Sequence, residues 1–72
     1  MTNTKLLDEL IEQSGKKKGH LARKAGMSLA WFRACCTNKG EFREGQMHAI
    51  AEELGIHDPE LFMAVFFAPR GA

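Results

Sequence analysis

Long apolar runs, spaced cysteines and net charge are all scarce in this sequence, and each scarcity removes a class of protein. The longest apolar stretch, Leu61 to Ala68, is eight residues. A membrane-spanning helix needs about 20. Met1 is followed by polar residues with no apolar segment behind them, so no signal peptide is expected. The expectation is a soluble, cytoplasmic protein with no membrane partner. The two cysteines, Cys35 and Cys36, are neighbours. Adjacent cysteines rarely reach the geometry of a mutual disulfide, and a disulfide framework needs spaced ones. They read as small apolar core residues in a reducing compartment. His20, His48 and His57 stand at no ligand spacing from them, so no metal site is expected.

Signs of catalysis are missing as well. There is no nucleophile–base pair and no pair of carboxylates in an apolar setting. Gly15-Lys16-Lys17 lacks the flanking pattern of a nucleotide-binding loop. Neither an enzyme nor a bound cofactor is expected. Repeats and low-complexity segments are absent, and no useful stretch alternates with the period of two that a half-buried strand requires. What remains is a chain of 72 residues, 44% hydrophobic and 26% charged, the make-up of one folded domain over residues 1–72.

The net charge of +1 conceals a division. Residues 1–40 hold eight Lys and Arg against three acids, a balance of +5. Residues 41–72 hold Arg43 and Arg70 against six acids, a balance of −4. A basic half suits an anionic partner. The same run also fits a solvated face with no partner.

Five helical segments are predicted, separated by glycines. In the first, Leu6, Leu7, Leu10 and Ile11 recur at helical spacing, with Asn3 or Thr4 as N-cap and Gly15 past the end. The second runs from about Lys17 to Ala25, with Leu21, Ala22 and Ala25 as its apolar side and Gly26 after it. The third is capped by Ser28 and continues through Trp31, Phe32, Cys35 and Cys36 to about Thr37. The fourth places Met47, Ile50, Ala51 and Leu54 at i, i+3, i+4 and i+7 before Gly55. The fifth opens with Asp58 and Pro59 and should stop at Pro69.

The second and third segments carry the signal of a helix-turn-helix over about residues 17–37. Such a motif needs a small residue where the helices approach, a residue tolerant of positive φ at the turn, a cap, and apolar anchors on the second helix. Ala22, Gly26, Ser28 and Phe32 with Cys35 or Cys36 supply them in that order.

From Leu6 to Ala68 the chain resembles the Cro/repressor-like (XRE-type) helix-turn-helix family, closest to its short phage and prophage members. The resemblance rests on Ser14-Gly15, Lys17-Lys18, Leu21-Ala22, Lys24, Gly26, Ser28, Phe32, Lys39, Glu41-Phe42, Leu54-Gly55-Ile56, Asp58-Pro59-Glu60 and Phe66-Phe67-Ala68. It implies an all-α, five-helix, lambda-repressor-like domain with a central helix-turn-helix. It further implies a sequence-specific transcriptional regulator of duplex DNA, acting as a homodimer on a palindromic operator. The second helix of the motif would lie in the major groove. Ser28, Leu29, Ala30, Arg33, Ala34 and Thr37 would face the bases, with Arg33 the main polar reader. Lys17, Lys18, Lys39 and Arg43 would hold phosphates.

The chain departs from the family at Leu29, Ala30 and Ala34, where polar readers are usual. Small apolar groups can touch a thymine methyl but make no bidentate hydrogen bond. Readout of DNA shape is then one route to specificity. The same departure supports an alternative function, a protein-binding module such as an antirepressor or a phage-encoded inhibitor. A further alternative is the DNA-binding module of a larger complex. Trp31 fits three roles: packing on the preceding helix, lying along the sugar–phosphate backbone, or anchoring a protein partner. In the fifth helix, Phe62, Met63, Phe66 and Phe67 exceed a one-sided apolar stripe. The surplus fits a homodimer contact, and it also fits the core of a small domain.

Overall fold

Local signals set the ends of five helices, and no strand occurs among the described residues. The computed structural model describes residues 1–69; residues 70–72 of the expected domain, Arg70 among them, lie outside the described residues. The protein is all-α. Helix α1 spans Thr4–Ser14. The Asn3 side chain, rather than that of Thr4, accepts the Leu6 N–H at 3.1 Å and so caps it. Helix α2, Lys18–Lys24, buries Leu21 and Ala22. Gly26 then takes φ +69°, a left-handed conformation that costs a glycine little. This lets the Met27 N–H return to the Ala22 carbonyl at 2.8 Å and reverses the chain.

Helix α3, Leu29–Cys35, is capped by Ser28, whose hydroxyl accepts the Trp31 N–H at 3.1 Å. The sequence predicts this helix to about Thr37, and regular helix ends at Cys35. The Lys39 N–H bonds back to the Ala34 carbonyl, and Asn38 turns to φ +59°, so the chain leaves the helix early. Helix α4, Glu44–Leu54, starts with the Gln46 side chain accepting the Arg43 N–H at 2.8 Å. Helix α5, Pro59–Phe66, has Asp58 as cap and Pro59 in its first turn. It ends before Pro69, consistent with the constraint that proline puts on the residue preceding it.

The core joins both halves of the chain. Helix α2 packs on α3 and α4, and α1 packs on α4 and α5. Leu7, Leu21, Ile50 and Val65 are fully buried between them. Phe32 of α3 meets Phe42 edge-on at 5.8 Å, and Phe42 meets Phe66 of α5 edge-on at 5.9 Å. Each such pair adds about 0.5–1.5 kcal/mol beyond the area it buries. The three phenylalanines therefore tie the end of α3, the following loop and α5 into one unit.

The first residues form a strap across this unit. The Asn3 N–H donates to the Val65 carbonyl at 2.7 Å, and the Ala68 N–H donates to the Met1 carbonyl at 2.9 Å. Asn38 receives the Thr2 N–H at 3.1 Å and donates its own amide to the Thr2 carbonyl at 2.9 Å. Thr2 is buried as a result. The loop after α3 is thus held through the Asn38 side chain to backbone 36 residues away in sequence.

Candidate nucleic-acid interface

Burial fixes which way α3 faces. Phe32, Cys35 and Cys36 point into the core. At 100° per residue their mean direction puts Ala30 and Ala34 on the outward line. Leu29 and Arg33 fall on one flank, and Trp31 on the other. Ser28, Leu29, Ala30, Trp31, Arg33 and Thr37 are exposed as this direction requires, whereas Ala34, on the outward line, is half-buried. Leu29 is 37% and Trp31 47% exposed, high values for large apolar side chains. The hydroxyl of Thr37 is turned inward, donating towards the Ala34 carbonyl at 3.1 Å and the Arg33 carbonyl at 3.3 Å. It retains only its acceptor for another molecule.

The Leu29 and Arg33 flank borders an open groove of about 790 Å³. Its other lining comes from Lys16, Lys17, Lys18, His20 and Arg23. The fold therefore brings together four of the residues singled out in the sequence: Lys17, Lys18, Leu29 and Arg33. It adds Lys16, His20 and Arg23, which belong to the basic half of the sequence but were not among the expected phosphate contacts. Spacing could have found His20 and Arg23, one turn apart on α2, but not Lys16, which lies before the helix cap.

These cations are not equally free. Lys18 Nζ lies 3.8 Å from Asp8 Oδ1, a loose pair. Lys16 Nζ donates to the Glu53 carbonyl at 2.7 Å and lies 3.4 Å from its Oε1. His20 Nε2 is 2.6 Å from the same Oε1. Glu53 is consequently held below the ordinary carboxylate range, first by the His20 hydrogen bond and then by Lys16, against the opposite push of partial burial. Among the described residues Lys17, Arg23 and Arg33 form no ion pair. They are the uncompensated charge of the groove.

Lys39 and Arg43 do not line this groove. Both are exposed, in the loop that runs from α3 to α4. Trp31 leans towards that loop. A Cβ placed on Gly40 would sit 2.6 Å from Trp31 Cη2 and 2.9 Å from Cζ2, so the ring lies against the bare glycine. Gly40 is a packing partner that the sequence did not suggest.

The other candidate surface lies on α5. Met63 is 53% and Phe67 48% exposed. Phe62 is half-buried, stacked on His48 with ring centroids 4.8 Å apart. Phe66, assigned to the same interface from the sequence, is 2% exposed and packs on Phe42 and Phe62. It belongs to the core, because the direction from α5 to the core runs through Val65 and Phe66. A groove of about 440 Å³ opens beside Phe62 and Met63, with Glu52 and Asp58 on its lining.

The remaining reactive groups are enclosed. Cys35 and Cys36 are free and buried, and burial pushes both thiols up, that of Cys36 to about 11. Both stay protonated near neutral pH and are poor nucleophiles. Among the described residues no three His, Cys, Asp or Glu side chains come together as metal ligands. Among the described residues no helix is long and apolar enough to cross a membrane. No protein-family model matches the chain, and neither does a curated protein or a solved structure.

Proposed function

We propose that the protein is a sequence-specific DNA-binding transcriptional regulator of the phage Cro or repressor type, in which α2 and α3 form the helix-turn-helix. One observation carries this reading. The exposed face of α3 is bordered by a groove whose cations Lys17, Arg23 and Arg33 have no acid partner among the described residues. A helix with side chains is about 10–12 Å across, and the major groove is about 12 Å wide. Ala30 and Ala34 on the outward line keep α3 slim enough to approach the base edges closely. Arg33 reads guanine by a bidentate hydrogen bond, a contact that discriminates by about 1–3 kcal/mol. Lys17, Lys18 and Arg23 hold one phosphate backbone, with Lys39 and Arg43 on the far side of α3. Methyl groups of Ala30 and Leu29 suit thymine.

The protein acts as a homodimer through Met63 and Phe67, which places two copies of α3 on half-sites about 34 Å apart. The test is a mobility or anisotropy titration against a duplex pool, followed by selection of bound sequences, at two salt concentrations. Tight binding that weakens steeply with salt is expected, and Arg33→Ala should flatten the selected motif. A native protein that binds no duplex at low salt sinks the proposal.

The exposure of Leu29, Ala30 and Trp31 favours a second reading, a module that has kept this fold and grips a protein. In that case the duplex titration stays flat, and Leu29→Glu abolishes a protein complex instead.

A further inference from the structure

We infer that Trp31, propped against Gly40, is the contact for the second phosphate backbone of bound duplex DNA; this deepens, and rests on, the regulator reading above. A helix lying in the major groove has a sugar–phosphate strand along each flank. The Leu29 and Arg33 flank of α3 meets one strand with the cation groove. The opposite flank carries no cation of its own; it carries Trp31, with Lys39 and Arg43 in the loop beside it. Glu41, from the same loop, lines a different pocket with Met1, Met47 and Phe67.

The chemistry of the ring fits that place. Half of its surface is open, and among the described residues nothing accepts a hydrogen bond from its Nε1–H. An indole can donate that hydrogen to a phosphate oxygen while its apolar body lies along deoxyribose. The occupant is set by the other flank of the same helix, where Lys17, Arg23 and Arg33 form no ion pair among the described residues and select a polyanion for α3 as a whole. Gly40 fixes the ring in position. Its backbone is not in the positive-φ region, so its lack of a side chain serves space and not conformation. A Cβ there would meet the far end of the Trp31 ring, which can swing away without disturbing the core.

The experiment uses the full chain. Trp31 is its only tryptophan and it has no tyrosine, so the emission reports this ring alone. A dye-labelled duplex carrying the selected site is titrated, and its anisotropy and the indole emission are followed together. The emission should change in step with the anisotropy. Trp31→Phe removes the donor, and Gly40→Ala keeps the indole but displaces it. Each should weaken duplex binding about tenfold, the size of one lost hydrogen bond to a charged group, with an unchanged melting temperature for Gly40→Ala. Duplex binding with unaltered emission, or native affinity in both variants, overturns the inference and leaves the regulator reading standing. An indole that stays open in the duplex complex is free for a protein partner instead. A flat anisotropy titration with the native chain sinks the regulator reading and takes this inference with it.

Discussion

Two patches of exposed apolar side chain lie on this small protein, and their charged surroundings are opposite. Leu29 and Trp31 on α3 stand between Lys17, Arg23 and Arg33 on one side and Lys39 and Arg43 on the other. Met63 on α5 shares a groove with Glu52 and Asp58, and Phe67, just past the helix, lines a pocket with Glu41. Apolar exposure alone names no partner. A phosphate backbone gains at the first patch and meets carboxylates at the second, Glu52 and Asp58 forming no ion pair among the described residues. The same kind of side chain therefore suits DNA on α3 and a protein surface on α5.

The most damaging change to this arrangement is loss of the link between the two patches. Phe42 touches Phe32 on one side and Phe66 on the other. Phe42→Ala should cost about 3–5 kcal/mol, against a total stability for a domain this size of about 0.05–0.15 kcal/mol per residue. Urea denaturation followed by circular dichroism should find its midpoint far below that of the native protein. A loss under about 1 kcal/mol would mean that the two ends are held independently, since a cost that small is outside the usual range for a buried aromatic.

Salt dependence tests the contrast itself. Removing a phosphate-bound cation should lower the slope of log affinity against log salt by about one. Lys17→Ala and Arg23→Ala should each do this, and Lys18→Ala less, because Asp8 already shares that ammonium. Glu52→Gln and Glu60→Gln, at the other patch, should leave the slope as it is. Equal slopes for all five variants would erase the distinction between the patches.

Glu53 sharpens the contrast by being the acid nearest the basic groove. Its carboxyl is held below its ordinary range by the His20 hydrogen bond and by Lys16. A carboxyl whose folded value lies below its unfolded one stabilises the fold above the ordinary carboxylate range. That contribution fades as pH falls through the lowered folded value. Glu53→Gln should therefore flatten the acid limb of a plot of urea midpoint against pH. The same variant leaves Lys16 on the backbone carbonyl of residue 53 but removes the carboxylate charge that offsets it, so duplex affinity at neutral pH should rise. A fall in affinity would show that Glu53 orients its partners and does more than mask them.

What the sequence disclosed was local. Asn3, Ser28 and Asp58 cap the next helix within three residues, and Gly15, Gly26 and Gly55 take positive φ where the periodic patterns stop. Such signals depend on neighbours in the chain and can be read without a fold. The contacts that stayed hidden join distant residues. Phe42 sits alone in a polar loop with no period to mark it, and it became the centre of the aromatic core. Asn38 clasps Thr2, and Trp31 finds Gly40, through surfaces that exist only once the helices have packed. In α5 the apolar residues surround the helix, so periodicity could not separate buried Phe66 from exposed Phe67. The basic groove was half legible, because its α2 side follows helical spacing while its junction with Leu29 and Arg33 depends on the turn at Gly26.

The smallest expected effect on folding belongs to Met63, and it bears most directly on the second patch. Its side chain is 53% exposed, so Met63→Glu removes little buried area and should shift stability by no more than about 0.5 kcal/mol. If α5 joins two copies, the new carboxylate enters an isologous contact twice, facing itself or the acids Glu52, Asp58 and Glu60 of the other copy. Sedimentation should then show the variant as a monomer where the native protein dimerises, and affinity for a palindromic duplex should fall while affinity for a single half-site holds. The half-site measurement separates the patches: α3 and its cations act within one copy, and only the second half-site needs α5. A variant that dimerises normally moves the dimer contact elsewhere and leaves Met63 and Phe67 to a different partner.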